Sequence, residues 1–303
     1  MTIKELFEAV RRVEVRTNRL VNDMMVGAYL SHFKGRGMDF EELREYIPGD
    51  EVRDIDWNVT YRMGRPFVKR YREERELTMV LAVDVSASSA FGSLRRTKRE
   101  FAAEIAGTLA LSAARSSDKV ALLLFSDQVE LFIPARKGRR HILRLIREML
   151  FFEPRKRGTN IVGALAFLNH VLHQRSIIFL LTDFLHSFGG QTGHAGRDTL
   201  QEVGLTNARH DLICLHLHDP RESRLPAAGL LTIEDAETGE LLEVDSNRAV
   251  VRERFARTNA ARLAELDRAL QRAGVDTLRF STAESFAQTL QHFFETRRGR
   301  RRG

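Results

Sequence analysis

The sequence predicts an α/β fold with a doubly wound, mostly parallel sheet flanked by helices, and with an N-terminal extension before it. Two observations from Leu77 onward support this prediction. Short apolar runs recur, and they are nearly continuous, as in strands that are buried on both faces of a parallel sheet. Helical segments separate these runs, and such alternation is typical of a doubly wound sheet. The first 75 residues lack this rhythm.

Each element of the α/β region is predicted from its own pattern. A strand over 77–84 precedes a helix in which Phe101, Ile105 and Leu109 recur at helical spacing. Further along we expect strands over 120–127 and 129–134 around a tight turn, a helix in HILRLIREML, a helix over 160–172, strands over 176–183 and in DLICLHLHD, a hairpin turning at 237–239, a helix over 252–273, a strand in VDTLRFS, and a closing helix over 283–294.

Three segments organise the chain. We expect an N-terminal extension over 1–75, an α/β domain over 76–295, and a disordered basic tail over 296–303. The extension begins with an amphipathic helix and is either a separate small domain or a segment packed on the sheet. Five arginines of the tail supply five of the seven net positive charges, so the rest of the chain has an ordinary charge balance.

Composition also bounds the location. No run of about 18 apolar residues is present, and the charged N-terminus lacks the apolar core of a secretion signal, so we expect a cytoplasmic protein with no membrane span. The single cysteine, Cys214, lies in an apolar run, which predicts a buried residue and excludes an internal disulfide.

Three oxygen-rich loops stand at the ends of the predicted strands and helices. They contain Asp84, Ser86, Ser88, Thr159 and Asp183. In open α/β sheets, ligands bind at the carboxyl ends of the strands, where such loops meet. Hydroxyls and carboxylates without nearby His or Cys suit a hard divalent cation, Mg²⁺ first and Mn²⁺ or Ca²⁺ next, rather than zinc. Since Mg²⁺ requires about six oxygens, water and an incoming ligand must complete its shell.

The five residues together resemble the metal-ion-dependent adhesion site of the von Willebrand factor A (vWA) domain, whose pattern is DxSxS, a distant Thr and a distant Asp. The resemblance extends from about Leu77 to Phe294. It implies that Ser86, Ser88 and Thr159 ligate the metal directly, while Asp84 and Asp183 act largely through water. It also implies a position for a carboxylate from a partner.

The segment from Gly35 to Thr78 resembles the signature of the domain-of-unknown-function 58 (DUF58) family. The matching motifs are REY at 44–46, PGD at 48–50, Arg53 and IDW at 55–57, while Tyr61 stands where we expect Ala. In that family the segment precedes a vWA-like domain, and members are commonly encoded beside MoxR-type AAA+ ATPases. The resemblance implies an adaptor that works with such an ATPase in the maturation or remodelling of client proteins.

Charge is segregated along the chain. Residues 39–56 carry eight acids and two bases, whereas residues 136–157 carry nine bases and two acids. The acidic segment permits two hypotheses. In one, Asp50, Arg53, Asp54 and Asp56 form ion pairs around a Pro-Gly turn that Tyr46, Ile55 and Trp57 anchor to the sheet. In the other, one of these acids reaches a metal site, in its own chain or in a neighbour, as the missing sixth ligand.

These observations favour a non-enzymatic, metal-dependent protein-interaction module. The alternative is a Mg²⁺-dependent phosphoryl-transfer or hydrolytic enzyme with Asp84 as nucleophile. Such phosphatases place a general acid two residues later, where this chain has Ser86, and the chain contains neither a GxxxxGK[ST] loop nor a GxSxG elbow. A lesser alternative is nucleic-acid binding through 136–157, a stretch with few aromatic residues for stacking on bases.

Overall fold

The computed structural model describes residues 13, 38–73, 77–94, 96–185 and 199–299. The strands of these residues are β1 Met38–Glu45, β2 Phe67–Glu73, β3 Thr78–Asp84, β4 Lys119–Phe125, β5 Val129–Arg136, β6 Ile177–Thr182, β7 Asp211–His218, β8 Leu230–Glu234, β9 Leu241–Asp245 and β10 Asp276–Ser281. The helices are α1 Trp57–Met63, α2 Lys98–Arg115, α3 Arg139–Phe151, α4 Ile161–Val171, α5 Thr199–Arg209, α6 Pro220–Ser223, α7 Ala249–Arg272 and α8 Ala287–Gly299.

Six strands form the central sheet, in the order β10-β7-β6-β3-β4-β5. Only β5, at one edge, is antiparallel to its neighbour. Counted from β3, this is the 3-2-1-4-5-6 order of doubly wound sheets, and the predicted fold class is confirmed. The order reverses between β3 and β6, and the carboxyl ends of these two adjacent strands form the crevice in which such folds bind their ligands.

The core lies on both faces of the sheet. Along β3, Met79, Leu81 and Val83 pack in the cluster that contains residues of α2, α3 and α8. Val80 and Ala82 alternate with them and pack in the second cluster, with residues of α4 and α7. Because successive side chains of a strand point to opposite faces, a strand covered on both sides needs apolar residues at every position.

The described part of the N-terminal segment contains a separate two-stranded sheet. Strands β1 and β2 pair with each other and are not part of the central sheet. Asp56 caps α1 by accepting from the amides of Asn58 and Val59. Trp57 is 65% exposed, so the expectation that it anchors this segment is wrong: as the first residue of a short helix it projects away from the packed side. Of the predicted N-terminal helix, Val13 is buried in the core, and residues 1–12 lie outside the described residues.

The closing helix differs from its prediction. It begins at Ala287 and continues to Gly299, so residues 296–299, which we expected in the tail, are helical. Arg297 explains the extension, because its guanidinium binds Asp211 at 2.5 Å and Asp276 at 2.6 Å. Residues 300–303 lie outside the described residues. Two further helices have no counterpart among the predicted elements: α5, which precedes β7, and α6, which follows it.

No helix within the described ranges is long and apolar enough to cross a membrane.

Replacement of Phe294 tests the packing of α8 on the sheet. Its ring is fully buried. We expect Phe294→Ala to lower the free energy of unfolding by about 3–5 kcal/mol in urea titrations, because a large buried ring leaves a cavity. The exposed neighbour Glu295 supplies the control: Glu295→Ala is expected to change the value by less than about 0.5 kcal/mol. Equal effects of the two replacements would contradict this packing.

Candidate metal centre

The first loop of the site follows β3 and is held by its own backbone. The Ser86 amide donates to the Asp84 carboxylate at 2.9 Å, and the next residues form a short 3-10 helix over 87–90. The Ser89 hydroxyl donates to the Ser86 carbonyl at 2.7 Å, which fixes the turn. As a result the buried Ser86 and Ser88 hydroxyls lie 3.1 Å apart.

The second loop brings Thr159 to the same place. Gly158 packs so closely on Asp127 that an added Cβ would lie 2.3 Å from the carboxylate, so a larger residue here would displace the Asp127 side chain. The next amide, of Asn160, donates to the Ser126 carbonyl at 2.8 Å, and the Asn160 side chain caps α4. These contacts place the Thr159 hydroxyl 3.4 Å from the Asp84 carboxylate.

The third loop follows β6 and carries Asp183. Its carboxylate accepts a 2.7 Å hydrogen bond from Ser88 and a 3.1 Å bond from the Leu185 amide. Phe184, between them, adopts a left-handed conformation with φ 52°, which is strained for a bulky residue and is frequent near functional sites. Thr182 donates to Asp84 at 2.7 Å. The structure therefore brings all five sequence-predicted residues into one cluster.

Lys98 is a member of this cluster that the sequence did not reveal. Its side chain is only 2% exposed, and its ammonium lies 2.6 Å from the Asp183 carboxylate and also binds Glu222. In the sequence Lys98 belongs to a run of charges at a helix start, a pattern that ordinarily indicates a solvated face. Only its tertiary contacts with Asp183, which follows β6, and with Glu222 of α6 show that this cation is buried.

The carboxylates of the cluster are electrostatically coupled. Burial, and after it the charge of Asp183, raises the pKa of Asp84 to about 7. Burial also opposes the charge of Asp183, but Lys98 and the hydrogen bond from Ser88 hold the pKa of Asp183 below its ordinary value. Asp183 is therefore the carboxylate that stays ionised, while Asp84 holds a proton readily unless a further cation approaches.

The β8–β9 hairpin is a fourth segment that contacts this cluster. Its turn places the Glu237 carboxylate 3.0 Å from the Thr159 hydroxyl. The sequence predicts the hairpin and its turn at 237–239, but nothing in the pattern connects that turn to the metal loops. Within the described residues, no group of three or more His, Cys, Asp or Glu side chains has the geometry of a metal site. Three of the five predicted donors are hydroxyls, so such a group is not what the prediction requires.

The acidic segment makes local contacts. Arg44 binds Asp50 through two hydrogen bonds, of 2.9 and 2.7 Å. Lys69 lies 3.1 Å from Asp56, which also caps α1. These contacts agree with the ion-pair hypothesis for Asp50 and Asp56, although their partners are Arg44 and Lys69 and not the neighbouring Arg53.

Part of the basic stretch supports the first loop. The Arg157 carbonyl accepts a 2.9 Å hydrogen bond from the Ala87 amide, and the Arg155 and Lys156 amides donate to Glu130. The backbone of this stretch therefore helps to position Ser86 and Ser88.

Comparison with known proteins places the chain among relatives of unknown activity. The family model described as "Protein of unknown function DUF58" matches residues 42–265. An uncharacterized protein of Mycobacterium tuberculosis is 29% identical over 297 residues, which cover 97% of this chain and 90% of that protein. An uncharacterized protein of Mycobacterium avium is 27% identical over 168 residues, or 55% of this chain and 94% of that protein.

Solved structures are more distant. An aerotolerance-related membrane protein from Bacteroides fragilis is 13% identical, with a TM-score of 0.48 over 74% of this chain and 99% of that chain. The VWA domain of SpRpn10 is 9% identical, with a TM-score of 0.36 over 71% of this chain and 93% of that chain.

The raised pKa of Asp84 predicts a pH-dependent stability. The folded protein binds this proton more tightly than the unfolded chain, whose pKa is near 3.8, so the contribution of Asp84 falls as the pH rises from about 4 to about 7. In EDTA, we expect Asp84→Asn to gain stability relative to the wild type over that range, by at most about 1.4 kcal/mol per pH unit, and to level off above it. Titrating groups far from the cluster cancel in this difference. Urea titrations with the same pH slope for both proteins would contradict the assignment.

Replacement of Lys98 tests whether its ammonium is needed to balance the carboxylates that it binds. Lys98→Met keeps most of the side-chain volume but leaves the buried Asp183 and the partly buried Glu222 without their cation, so we expect the free energy of unfolding in EDTA to fall by about 3–5 kcal/mol. The same exchange at exposed Lys156 is the control and should have little effect. A stability of Lys98→Met equal to that of the control would show that the ammonium is not needed there.

Proposed function

We propose, since the chain belongs to the DUF58 family, that it is a non-enzymatic protein-interaction module whose vWA-like domain binds a partner through a divalent cation, Mg²⁺ first and Mn²⁺ or Ca²⁺ next. We further propose that it serves as an adaptor for a MoxR-type AAA+ ATPase in the maturation or remodelling of client proteins. One observation carries the first proposal. Two carboxylates and three hydroxyls converge at the switch point of the sheet.

The donor set fits a hard cation. Every predicted ligand offers oxygen, and Asp84, Ser86, Ser88 and Asp183 are at least nine-tenths buried, which excludes bulk water from one side. The hydroxyls of Ser86, Ser88 and Thr159 would hold the ion, with Asp84 and Asp183 close behind. A bound divalent cation would supply an electrophilic centre that attracts a carboxylate of the partner.

The net charge of the cluster also favours the binding of a divalent cation. Asp84, Asp183 and Glu222 carry three formal negative charges, and Lys98 carries one positive charge. Two formal negative charges therefore remain to be balanced among these four side chains. Burial, and after it the charge of Asp183, raises the pKa of Asp84 to about 7. Lys98 and Glu222 neutralise each other, and a divalent cation would neutralise the two aspartates. Lys98 also competes for Asp183, so we expect metal affinity to be modest and sensitive to this lysine.

The contacts of Asp84 support a binding role over an enzymatic one. Asp84 accepts from the Ser86 amide through one oxygen and from Thr182 through the other, so its carboxylate is held by neighbours on both sides. The residue two positions later is Ser86, whose hydroxyl cannot serve as a general acid at the pKa that this chemistry requires. The ATPase partnership rests on the family signature at 44–57, which precedes this domain in the chain.

Metal binding and partner capture test the proposal together. Wild type, the double variant Asp84→Asn with Ser86→Ala, and the control Asp245→Asn on exposed β9 are titrated with Mn²⁺ by calorimetry. Each is then used as bait in lysate from the native cell, with Mg²⁺ or with EDTA. We expect Mn²⁺ to bind wild type and control, and to bind the double variant at least about 10-fold more weakly, because the loss includes a ligand and a carboxylate.

For the adaptor, the expected result is recovery of an AAA+ ATPase by wild type and control in Mg²⁺ only. Equal recovery in Mg²⁺ and EDTA by all three baits would refute metal-dependent binding. Failure of Mn²⁺ to bind the wild type would refute the metal centre itself.

A further inference from the structure

The turn of the β8–β9 hairpin is built to present Glu237. Asp235 accepts hydrogen bonds from the amides of Glu237 and Thr238, each at 2.9 Å, and two backbone bonds close the turn around it. Gly239 has φ 76°, a left-handed conformation that glycine adopts without strain. With the turn fixed in this way, the half-buried Glu237 carboxylate reaches Thr159.

Thr159 then stands between two carboxylates. Its hydroxyl lies 3.0 Å from Glu237 and 3.4 Å from Asp84, but it has a single proton and can donate to only one of them. Glu237 therefore contacts one of the predicted metal residues directly and lies close to a second one across the same hydroxyl. A cation bound beside Thr159 would attract both carboxylates.

We infer that Glu237 is a ligand that the chain itself supplies to the metal centre, in the position that a partner's carboxylate takes. This inference rests on the proposed function. In this arrangement the β8–β9 hairpin contributes a metal ligand, and the bond between Glu237 and the ion holds the hairpin over the site. A partner must displace Glu237 to bind, so the partner chemistry that fits is an accessible Asp or Glu side chain.

The surroundings of the hairpin permit that displacement. A cavity of about 840 Å³ lies between the hairpin, α6 and α7, and its lining includes Ser88 and Glu237 as well as Leu231, Ile233 and Phe255. Leu231 and Ile233 on the inner face of β8 are only partly buried, so the hairpin is not packed into either core cluster. Among the described residues, the inner face of the hairpin borders this cavity, so moving the hairpin away from Thr159 breaks few of their apolar contacts.

The acids of residues 39–56 are weaker candidates for the same position. Asp50 is bound by Arg44 and Asp56 by Lys69, so both acids already have basic partners within the N-terminal segment. Glu237 is instead in direct contact with one of the five predicted metal residues.

Mn²⁺ titration of four proteins tests the inference. Glu237→Gln removes the charge and keeps the shape, Glu237→Asp keeps the charge but withdraws it from Thr159 by one methylene, and Glu240→Gln makes the same charge change at an exposed site in the same hairpin. We expect the Mn²⁺ dissociation constant to rise by about 10-fold or more for Glu237→Gln and to rise also for Glu237→Asp. For Glu240→Gln we expect it to match the wild type.

Hydrogen exchange supplies a second readout. Mn²⁺ should slow exchange of the amides over 230–245 in wild type and in Glu240→Gln, but not in Glu237→Gln, because only Glu237 ties the hairpin to the ion. If the wild type binds Mn²⁺ and Glu237→Gln binds it equally well, Glu237 is not a ligand, while the metal-dependent function stands. If the wild type binds no Mn²⁺, the proposed function and this inference both fail.

Discussion

Two carboxylates lie buried side by side at the carboxyl end of the central sheet, and the other contacts of this region depend on them. Asp84 and Asp183 end or follow adjacent parallel strands, so the topology places their charges together in a region that water does not fill. Such charges are unfavourable unless they are paired or hydrogen-bonded. The contacts around them have this character: Ser86 and Thr182 donate to Asp84, while Ser88, Leu185 and Lys98 donate to Asp183.

Lys98 gives the cluster an unusual property. One ammonium, itself bound to Glu222, neutralises part of the charge without any ion from solution. The remaining excess is carried by Asp84, whose pKa of about 7 allows it to take up a proton near neutral pH. In our proposal a proton and a divalent cation are therefore alternatives at Asp84, and the metal affinity of the centre should weaken as the pH falls below that value.

In our proposal the β8–β9 hairpin also controls access to the metal centre. A site that binds any carboxylate would be promiscuous, since nearly every protein surface exposes Asp and Glu side chains. An internal Glu237 raises the requirement, because a partner must bind more strongly than an acid already tethered at high effective concentration. Contacts outside the metal centre then decide which partner succeeds, and the apolar lining of the cavity beside Ser88 is well placed to provide them.

Local patterns in the sequence determined the fold class, most strand and helix positions, and five residues that the structure brings into one cluster. These features depend on residue order along one element: apolar runs where a strand is covered on both faces, and hydroxyls or carboxylates at its carboxyl end. Tertiary structure alone decided that Lys98 is buried, that Glu237 meets Thr159, and that Arg297 prolongs the last helix. The contacts of Lys98 with Asp183, of Glu237 with Thr159 and of Arg297 with Asp211 each join residues far apart in the sequence. Such contacts have no periodic signature, since the partner of a charge is set by how the elements pack.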